Sequence, residues 1–318
     1  MNSRTQSKRD AWQKLTDELL SVLDARSRDI MVRRFGLQDG IKATLESIGK
    51  EYGITRERVR QIESQAKKVL ATRLAVLKPA REQLERLFRT EGGILSKERL
   101  VELAQKKIDR DIYPATIHFY LELVSPYEFV TTDAHFAPHW RHPAAIGAEA
   151  AEVVRAGEAV LHKTKHPLSE VELLASLQQL LKSTPMVAHV LAWLKAARHL
   201  RKNPFGEWGV VGWAETTPRG VGDKAYAVLR RHTKPEHFRK IAELINEAHF
   251  DHKIANAQTV HNELIKDDRF VLVGRGLYGL TEWGYIPGTV ADVLEAILGK
   301  AEEPLSRDEL VERVLAQR

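Results

Sequence analysis

The sequence predicts a mainly α-helical protein: a helix-turn-helix followed by tandem winged-helix units, each built from three helices and a β-hairpin. Two observations lead to this fold class. Near the N-terminus, two short helical patterns are separated by Gly53. After Lys78-Pro79, capped helices and short strand pairs recur with a period of about 70 residues. A period of that length is typical of a repeated domain and not of a solenoid.

Composition narrows the class of protein. The chain has 318 residues, enough for two or more domains, and 43% of them are hydrophobic, enough to form buried cores. It contains no cysteine, which excludes disulfides, thiolate zinc sites and cysteine nucleophiles. The N-terminus has no apolar signal core and no stretch is long and apolar enough to span a membrane. We therefore expect a cytoplasmic, nucleoid-associated protein.

The positive charge is concentrated in one segment. The net charge of the chain is +6. Between Arg26 and Leu77 there are 12 Lys or Arg residues and 6 Asp or Glu residues, so this segment accounts for the whole excess. A local basic block of this kind favours a polyanionic partner, most simply nucleic acid.

The same segment has the caps and spacing of a helix-turn-helix. A helical pattern over Leu23–Phe35 comes first. Thr44 can cap a helix that ends at Tyr52, Gly53 supplies a tight turn, and Thr55 can cap the next helix.

The helix after Thr55 has one apolar stripe and one polar face. We expect the stripe to be buried, because its members recur at helical spacing: Val59, Ile62, Ala66 and Val69. The polar face carries residue types that recognise base edges, since Arg pairs with guanine, Glu with cytosine and Gln with adenine. Its members are Arg56, Glu57, Arg60, Gln61 and Ser64. Judged on charge alone, a solvated helix face that contacts no DNA is an equally good interpretation.

The segments LDARSRDIMVRRFGL and TLESIGKEYGITRERVRQIESQAKKVL resemble region 4 of the sigma-70 family of bacterial transcription initiation factors. The resemblance implies binding to a promoter −35 element and to the β flap of core RNA polymerase. It implies that bases or nearby phosphates are contacted by Arg56, Glu57, Arg60 and Gln61. It also implies that the DNA backbone is held by Arg26, Arg34, Thr44, Leu45 and Arg58. Ser27 and Asp29 depart from the family pattern, which often has Glu and a basic residue there.

The resemblance covers about 50 residues, and only about 25 residues precede it. A segment that short cannot contain the region that melts promoters and recognises the −10 element. We therefore expect that the chain does not open a promoter by itself.

Four similar helix starts define the repeat in the rest of the chain. Their markers are Ser96, Ser169, His237 and Ser306, at steps of 73, 68 and 69 residues. A leading helix is expected before each marker, over Ala80–Thr90, Ala148–Thr164, Lys224–His232 and Val290–Lys300. Strand pairs are expected over Glu128–Trp140, Leu200–Trp213 and Phe270–Trp283. The fourth copy stops at Arg318, which we interpret as a truncated chain or an open end that packs on a partner.

These patterns divide the chain into six predicted segments. They are an N-terminal segment (1–22), the helix-turn-helix (23–78), two winged units (79–145 and 146–217), a third winged unit (218–286) and a partial fourth (287–318). Residues from about 222 to 284, AYAVLRRH through LTEW, resemble the HARE-HTH family of winged helices. That resemblance implies association with nucleic acid or polymerase and no catalytic residues.

Two groups of residues resemble chemical sites but are better explained by local structure. The run Gly274 to Gly279 matches G-x-G-x-x-G, but we expect strands on both sides of it, with Leu280 to Trp283 as the second, so a hairpin turn is favoured over a dinucleotide site. His135, His139 and His142 are four and three residues apart and could share a metal only if they lay on a helix, and Pro138 and Pro143 argue against a helix there. We therefore expect no metal, no cofactor and no enzymatic activity.

Three functions remain open. The first is a sigma-like transcription factor that binds double-stranded promoter DNA, RNA polymerase core, or both, and neither membrane nor a small-molecule substrate. The second is a polymerase-binding module that makes no DNA contact. The third is a DNA-recognition subunit of a nucleic-acid-processing enzyme. Outside the basic segment the chain is neutral, so side chains such as Arg230, Arg231 and Lys234 are more simply a solvated face than phosphate ligands.

Overall fold

A computed structural model describes residues 3–124, 127–142, 147–183, 185–301 and 303–317. The fold is mainly helical and forms two compact units. The first comprises Met1–Arg155 and Leu181–Arg198, and the second comprises Ala156–Leu180 and His199–Arg318. Within the described ranges, no helix has both the length and the apolar character that crossing a membrane requires.

The first unit begins with four helices, and local capping explains their ends. They are α1 (Ser3–Leu20), α2 (Ala25–Phe35), α3 (Leu45–Tyr52) and α4 (Arg56–Ala71). Thr44 and Thr55 cap α3 and α4. Each threonine side chain accepts a hydrogen bond from the backbone N–H of the residue three positions later. Gly36 and Gly53 end α2 and α3 with φ of +58° and +62°, a conformation that favours glycine. The predicted helix-turn-helix is thereby confirmed.

One member of the predicted stripe on α4 was wrong. Val59 and Ala66 are buried and Ile62 is half-buried, but Val69 is 40% exposed. Leu70 is fully buried in its place. The stripe shifts by one residue because the end of α4 packs into a larger hydrophobic core, formed by residues of α1 and α2 and of helices that follow in the chain.

A three-helix arrangement with a small sheet follows α4. Its elements are α5 (Leu74–Thr90), β1 (Ile94–Ser96), α6 (Lys97–Lys107), α7 (Pro114–Leu123), β2 (Glu128–Val130) and β3 (His139–Arg141). The strands are antiparallel in the order β1-β3-β2.

Helix α5 starts at Leu74 and not at Ala80, so it runs across the predicted boundary at 78/79. Pro79 lies inside it, where it removes one backbone hydrogen bond. Pro79 is exposed, while the buried side chains continue on both sides of it. Those side chains are Leu77, Ala80, Leu84, Leu87 and Phe88. Packing of this stripe therefore outweighs the lost hydrogen bond.

The helix-turn-helix and the α5–α7 arrangement share one hydrophobic core. Met31, Phe35 and Leu70 belong to the same buried cluster as Leu84 and Phe119. Helix α1 joins them, since Trp12 is buried and its ring meets the edge of Tyr120 at 4.8 Å between centroids. Trp12 Nε1 also donates to Gln83 Oε1 at 3.0 Å.

The next helices are α8 (Gly147–Thr164), α9 (Glu170–Leu180) and α10 (Val187–Ala196). The compact units divide within α8 and again between α9 and α10. Helix α10 belongs to the first unit, where Trp193 Nε1 donates to the carbonyl oxygen of Gly92 at 3.0 Å, just before β1. The predicted domain 146–217 is therefore not one of the compact units, because its helix α10 packs on β1.

The second unit contains another three-stranded arrangement. After β4 (Leu200–Lys202) and β5 (Trp208–Val210) come α11 (Val221–His232), β6 (Glu236–His237), α12 (Phe238–Ala248), α13 (Ala257–Lys266), β7 (Phe270–Gly274) and β8 (Leu277–Leu280). Strands β6–β8 are antiparallel in the order β6-β8-β7, which repeats the topology of β1–β3. Helices α14 (Val290–Lys300) and α15 (Arg307–Leu315) follow.

All four repeat markers lie where helices begin. Ser96, His237 and Ser306 each accept a backbone N–H at the start of α6, α12 and α15. Ser169 Oγ accepts from the backbone of Glu172 at the start of α9. The short strands β1 and β6, which end at two of these markers, were not predicted. Two or three residues are too few to show a strand pattern.

The G-x-G-x-x-G run forms the predicted hairpin turn between β7 and β8, with Gly276 at φ +71°. The expectation that the second strand continues through Trp283 was wrong. Strand β8 ends at Leu280, and Thr281–Trp283 is a 3-10 turn closed by Gly284.

The packing of α4 gives a test by paired substitutions. Leu70→Ala should lower the free energy of unfolding by about 2–5 kcal/mol, because it leaves a cavity in the shared core. Val69→Ala should change it by less than about 1 kcal/mol, because that side chain is partly solvated. Urea denaturation of both variants measures the difference, and equal losses would contradict the packing.

Candidate nucleic-acid interface

The N-terminal half of α4 presents a continuous polar surface. Arg56, Glu57, Arg58, Arg60 and Gln61 are all exposed, while Val59 is fully buried beneath them. Helix α3 packs against α4 across the turn at Gly53, with Ile30, Ile48 and Val59 forming a small core. This is the geometry in which the second helix of a helix-turn-helix enters a DNA major groove.

Two side-chain pairs organise that surface. Arg60 donates from Nη2 to Glu57 Oε1 at 2.7 Å and from Nε to Glu57 Oε2 at 2.9 Å. Arg58 Nη1 donates to Gln61 Oε1 at 3.1 Å. The hydrogen bond from Arg60 lowers the pKa of Glu57, and Glu57 in turn raises the pKa of Arg60. The face is therefore a mixed arrangement of donors and acceptors and not a uniform positive patch.

The N-terminus of α3 is fixed by its cap and by the small core. Thr44 Oγ1 accepts from the backbone N–H of Ser47 at 3.0 Å and donates to Ser47 Oγ at 3.1 Å. Leu45 is half-buried against the small core, which fixes the start of the helix. Exposed backbone N–H groups at such a start can bind a phosphate.

The guanidinium of Arg34 is engaged in hydrogen bonds within the protein. Its Nε donates to Glu63 Oε2 at 3.0 Å and its Nη1 donates to the carbonyl oxygen of Ala43 at 3.2 Å. Glu63, on α4, also pairs with Lys67 at 2.9 Å. We name Arg34, Glu63 and Lys67 the α4 clamp.

Glu63 is the centre of the clamp. Its side chain is only 13% exposed. Burial raises the pKa of Glu63, but the hydrogen bonds and charges of Lys67 and Arg34 together outweigh burial and hold that pKa below its ordinary value. Glu63 therefore stays ionised and joins α2 to α4.

Arg26 and Asp29 lie on α2 near the end of α3. Asp29 is one of the two residues that depart from the sigma-70 pattern. The guanidinium of Arg26 stands 5.4 Å from the centre of the Tyr52 ring. Asp29 accepts the Tyr52 hydroxyl and forms an ion pair with Arg33, which also binds Glu51 at 2.7 Å. Asp29 thus takes an internal role that ties α2 to α3, and Arg26 keeps an exposed position.

Three lysines of the first unit were not among the site residues predicted from sequence: Lys42, Lys67 and Lys97. Lys67 follows Arg60 by seven residues, close to two helical turns, so helical periodicity could have placed both on one face. Lys42 and Lys97 line one cleft although 54 residues separate them, and local pattern gives no signal of that.

The basic residues proposed for the third winged unit are engaged with acids. Arg230 binds Glu215 at 3.0 Å and Arg231 binds Glu207 at 2.8 Å. Lys234 lies 3.2 Å from Glu236. These pairs leave little uncompensated charge for a phosphate backbone, in keeping with the preference for a solvated face.

The histidines near Trp140 have separate surroundings. His139 is buried with its Nδ1 at 2.9 Å from the carbonyl oxygen of Ala137, and the ring of His142 faces Tyr127. The backbone of His135 donates to Asp133. Over the part of the chain that the structure describes, no three His, Asp or Glu side chains are grouped in a way that could hold a metal ion.

Comparison with known proteins assigns the helix-turn-helix. Residues 19–71 match the family model for sigma-70, region 4. The segment is 50% identical over 50 residues to the RNA polymerase principal sigma factor HrdD of Streptomyces coelicolor, covering 16% of this chain and 15% of that protein. It is 48% identical over 54 residues to the RNA polymerase sigma factor SigA of Lactococcus lactis, covering 17% and 15%. The matches therefore span about 15% of the relatives' length, and they assign a region 4 domain and not the whole chain.

The α4 clamp gives a test that depends on pH. Glu63→Gln should lower the free energy of unfolding at neutral pH by about 1–3 kcal/mol, because a charged hydrogen-bond acceptor is lost. The pKa of Glu63 is depressed in the folded protein, so its stabilisation is present above the ordinary value of 4.5 and is lost as pH falls through the folded pKa. The difference from the parent should thus shrink in acid.

Glu46→Gln is the matched control, since Glu46 and its partner Lys50 are 69% and 78% exposed. That substitution should have little effect at any pH. Urea denaturation at several pH values measures both variants, and a Glu63→Gln loss that is independent of pH would refute the clamp.

Proposed function

We propose that this protein is a sigma-like, DNA-binding transcription factor that recognises a −35-type promoter element. The observation that carries the proposal is the exposed N-terminal half of α4, where Arg56, Glu57, Arg60 and Gln61 stand together on a capped helix. This helix lies within the segment that matches sigma-70 region 4.

The proposed mechanism is recruitment without a chemical step. Base edges are contacted by Arg56, Glu57, Arg60 and Gln61. The hydrogen bonds between Glu57 and Arg60 set the orientation of these two side chains before DNA binds. The DNA backbone is held by Arg26, Arg34, Arg58, Thr44 and Leu45. Arg34 also fixes α2 against α4 through Glu63. Binding free energy at the promoter is then the whole contribution of this domain.

We also propose that the three-stranded arrangements are winged helices. The topology of α5–α7 with β1–β3 and of α11–α13 with β6–β8 supports this, since each has three helices, a strand before the second helix and a C-terminal hairpin. For residues 218–286 the proposal is a HARE-HTH type module. Because Arg230 and Arg231 are already paired with acids, we assign it a protein partner instead of DNA.

Arg60→Ala tests the base-recognition surface. The variant should weaken binding to a −35-type duplex by about 1–3 kcal/mol and should relax sequence preference, because a bidentate donor is lost. Fluorescence anisotropy with the full chain, on cognate and scrambled duplexes, measures both effects.

Lys78→Ala is the control, since Lys78 is 73% exposed on α5 outside the proposed interface. It should bind as the parent does. If Arg60→Ala binds and discriminates as well as the parent, the assignment of α4 is wrong.

RNA polymerase is the second proposed partner, through the β flap that sigma region 4 domains bind. The full chain should be retained by immobilised core polymerase in the absence of DNA. Retention that survives moderate salt would distinguish a protein interface from bridging nucleic acid, because phosphate contacts weaken steeply with salt. Loss of retention after nuclease treatment would argue against direct contact.

A further inference from the structure

A cleft in the first unit is lined by two lysines, two acids and several aromatic rings. Its volume is about 570 Å³. Lys42, from the loop before α3, and Lys97, the first residue of α6, both line it. The other lining residues are His118, Glu122, Tyr127, Glu128, Phe129 and Trp140. We name this feature the lysine cleft.

The acids of the lysine cleft are already neutralised by other cations. Glu122 accepts from Lys67 Nζ at 2.7 Å, and Glu128 accepts from Arg141 Nη2 at 2.7 Å. Among the described residues, no carboxylate lies within salt-bridge distance of Lys42 or Lys97. Lys97 instead places its Nζ 4.4 Å from the centre of the Phe129 ring. Two exposed ammonium groups therefore remain available to an anion.

Burial and nearby positive charges both lower pKa values in the cleft. Burial lowers the pKa of Lys42, and although Glu122 opposes this, the charges of Arg34, Lys97 and Lys67 add to it. Burial and then the charges of Lys42 and Lys97 lower the pKa of His118 to about 4. Neutral His118 accepts a hydrogen bond from Trp140 Nε1 at 3.0 Å. An anion between the lysines would relieve this concentration of charge.

The lysine cleft continues the polar face of α4. Lys67 lies seven residues after Arg60, hence on the same side of the helix and roughly 10 Å further along it. Lys67 contacts Glu122, which lines the cleft. Lys67 of the α4 clamp therefore connects α4, through Glu122, to the lysine cleft.

We propose that the lysine cleft binds backbone phosphates of the same duplex that α4 recognises, at a position flanking the recognised element. This inference rests on the proposed function and extends the DNA interface beyond residues 19–71, since Lys97 lies outside that segment. Lysines contact phosphates as point charges that carry no sequence information. The α5–α7 arrangement thus lengthens the DNA footprint without adding sequence preference.

The test compares salt dependence on two duplexes. The full-length parent, Lys42→Ala, Lys97→Ala and the control Lys106→Ala are titrated by anisotropy from low to moderate salt. One duplex is limited to the recognised element and the other extends beyond it on both sides. Lys106 is exposed on α6, nine residues and roughly 13 Å along the helix from Lys97, so it matches Lys97 in charge and helix.

On the extended duplex, Lys42→Ala and Lys97→Ala should each reduce the slope of log affinity against log salt by about 0.9 and weaken binding several-fold. On the short duplex, and for Lys106→Ala on both duplexes, binding should match the parent. Parent-like slopes for both cleft variants, or equal losses on the two duplexes, would overturn this inference while leaving the proposed function intact. Absence of salt-dependent binding by the parent would overturn both. Thermal melting of each variant confirms folding.

Discussion

Helix α4 serves two purposes along its length, and the rest of the first unit depends on that division. Arg56, Glu57, Arg58, Arg60 and Gln61 in its N-terminal half are exposed, whereas Ala66 and Leu70 near its end are buried in the core shared with α5 and α7. Burial of the second half fixes the direction of the first. A helix anchored in this way loses little further conformational freedom when it binds a partner, which favours affinity.

The α4 clamp lies at the junction of those halves. Glu63 is one turn beyond Arg60 and holds Arg34 from α2 and Lys67 from α4 together. Because Lys67 also reaches Glu122 on α7, one set of charges links the helix-turn-helix to the helices that follow. Glu122 is thus engaged by Lys67. Lys42 and Lys97 have no carboxylate in salt-bridge range among the described residues.

Local features of this protein could be predicted from sequence, and features set by packing could not. The caps at Thr44, Thr55 and Ser96 depend on residues three positions away, so pattern alone located them. Val69 and Leu70 are neighbours, and only the helices that cover them decide which is buried. Likewise, Pro79 predicts a boundary by its local chemistry, whereas tertiary packing carries α5 through it.

The candidate site follows the same division. The exposure of Arg56, Glu57, Arg60 and Gln61 agrees with their expected place on the polar face, and their contacts with DNA stay a prediction. The internal bonds of Arg34 and the convergence of Lys42 with Lys97 needed the fold, because they join residues far apart in the chain.

Selection of duplexes from a randomised pool by the full-length protein tests the central claim most directly. If α4 recognises bases, repeated rounds should enrich one short motif of the −35 type, and exchanging Gln61 for another residue should change the preference at a single position within it. Recovery of duplexes without any common motif would contradict the claim, since it would leave only phosphate contacts to account for binding.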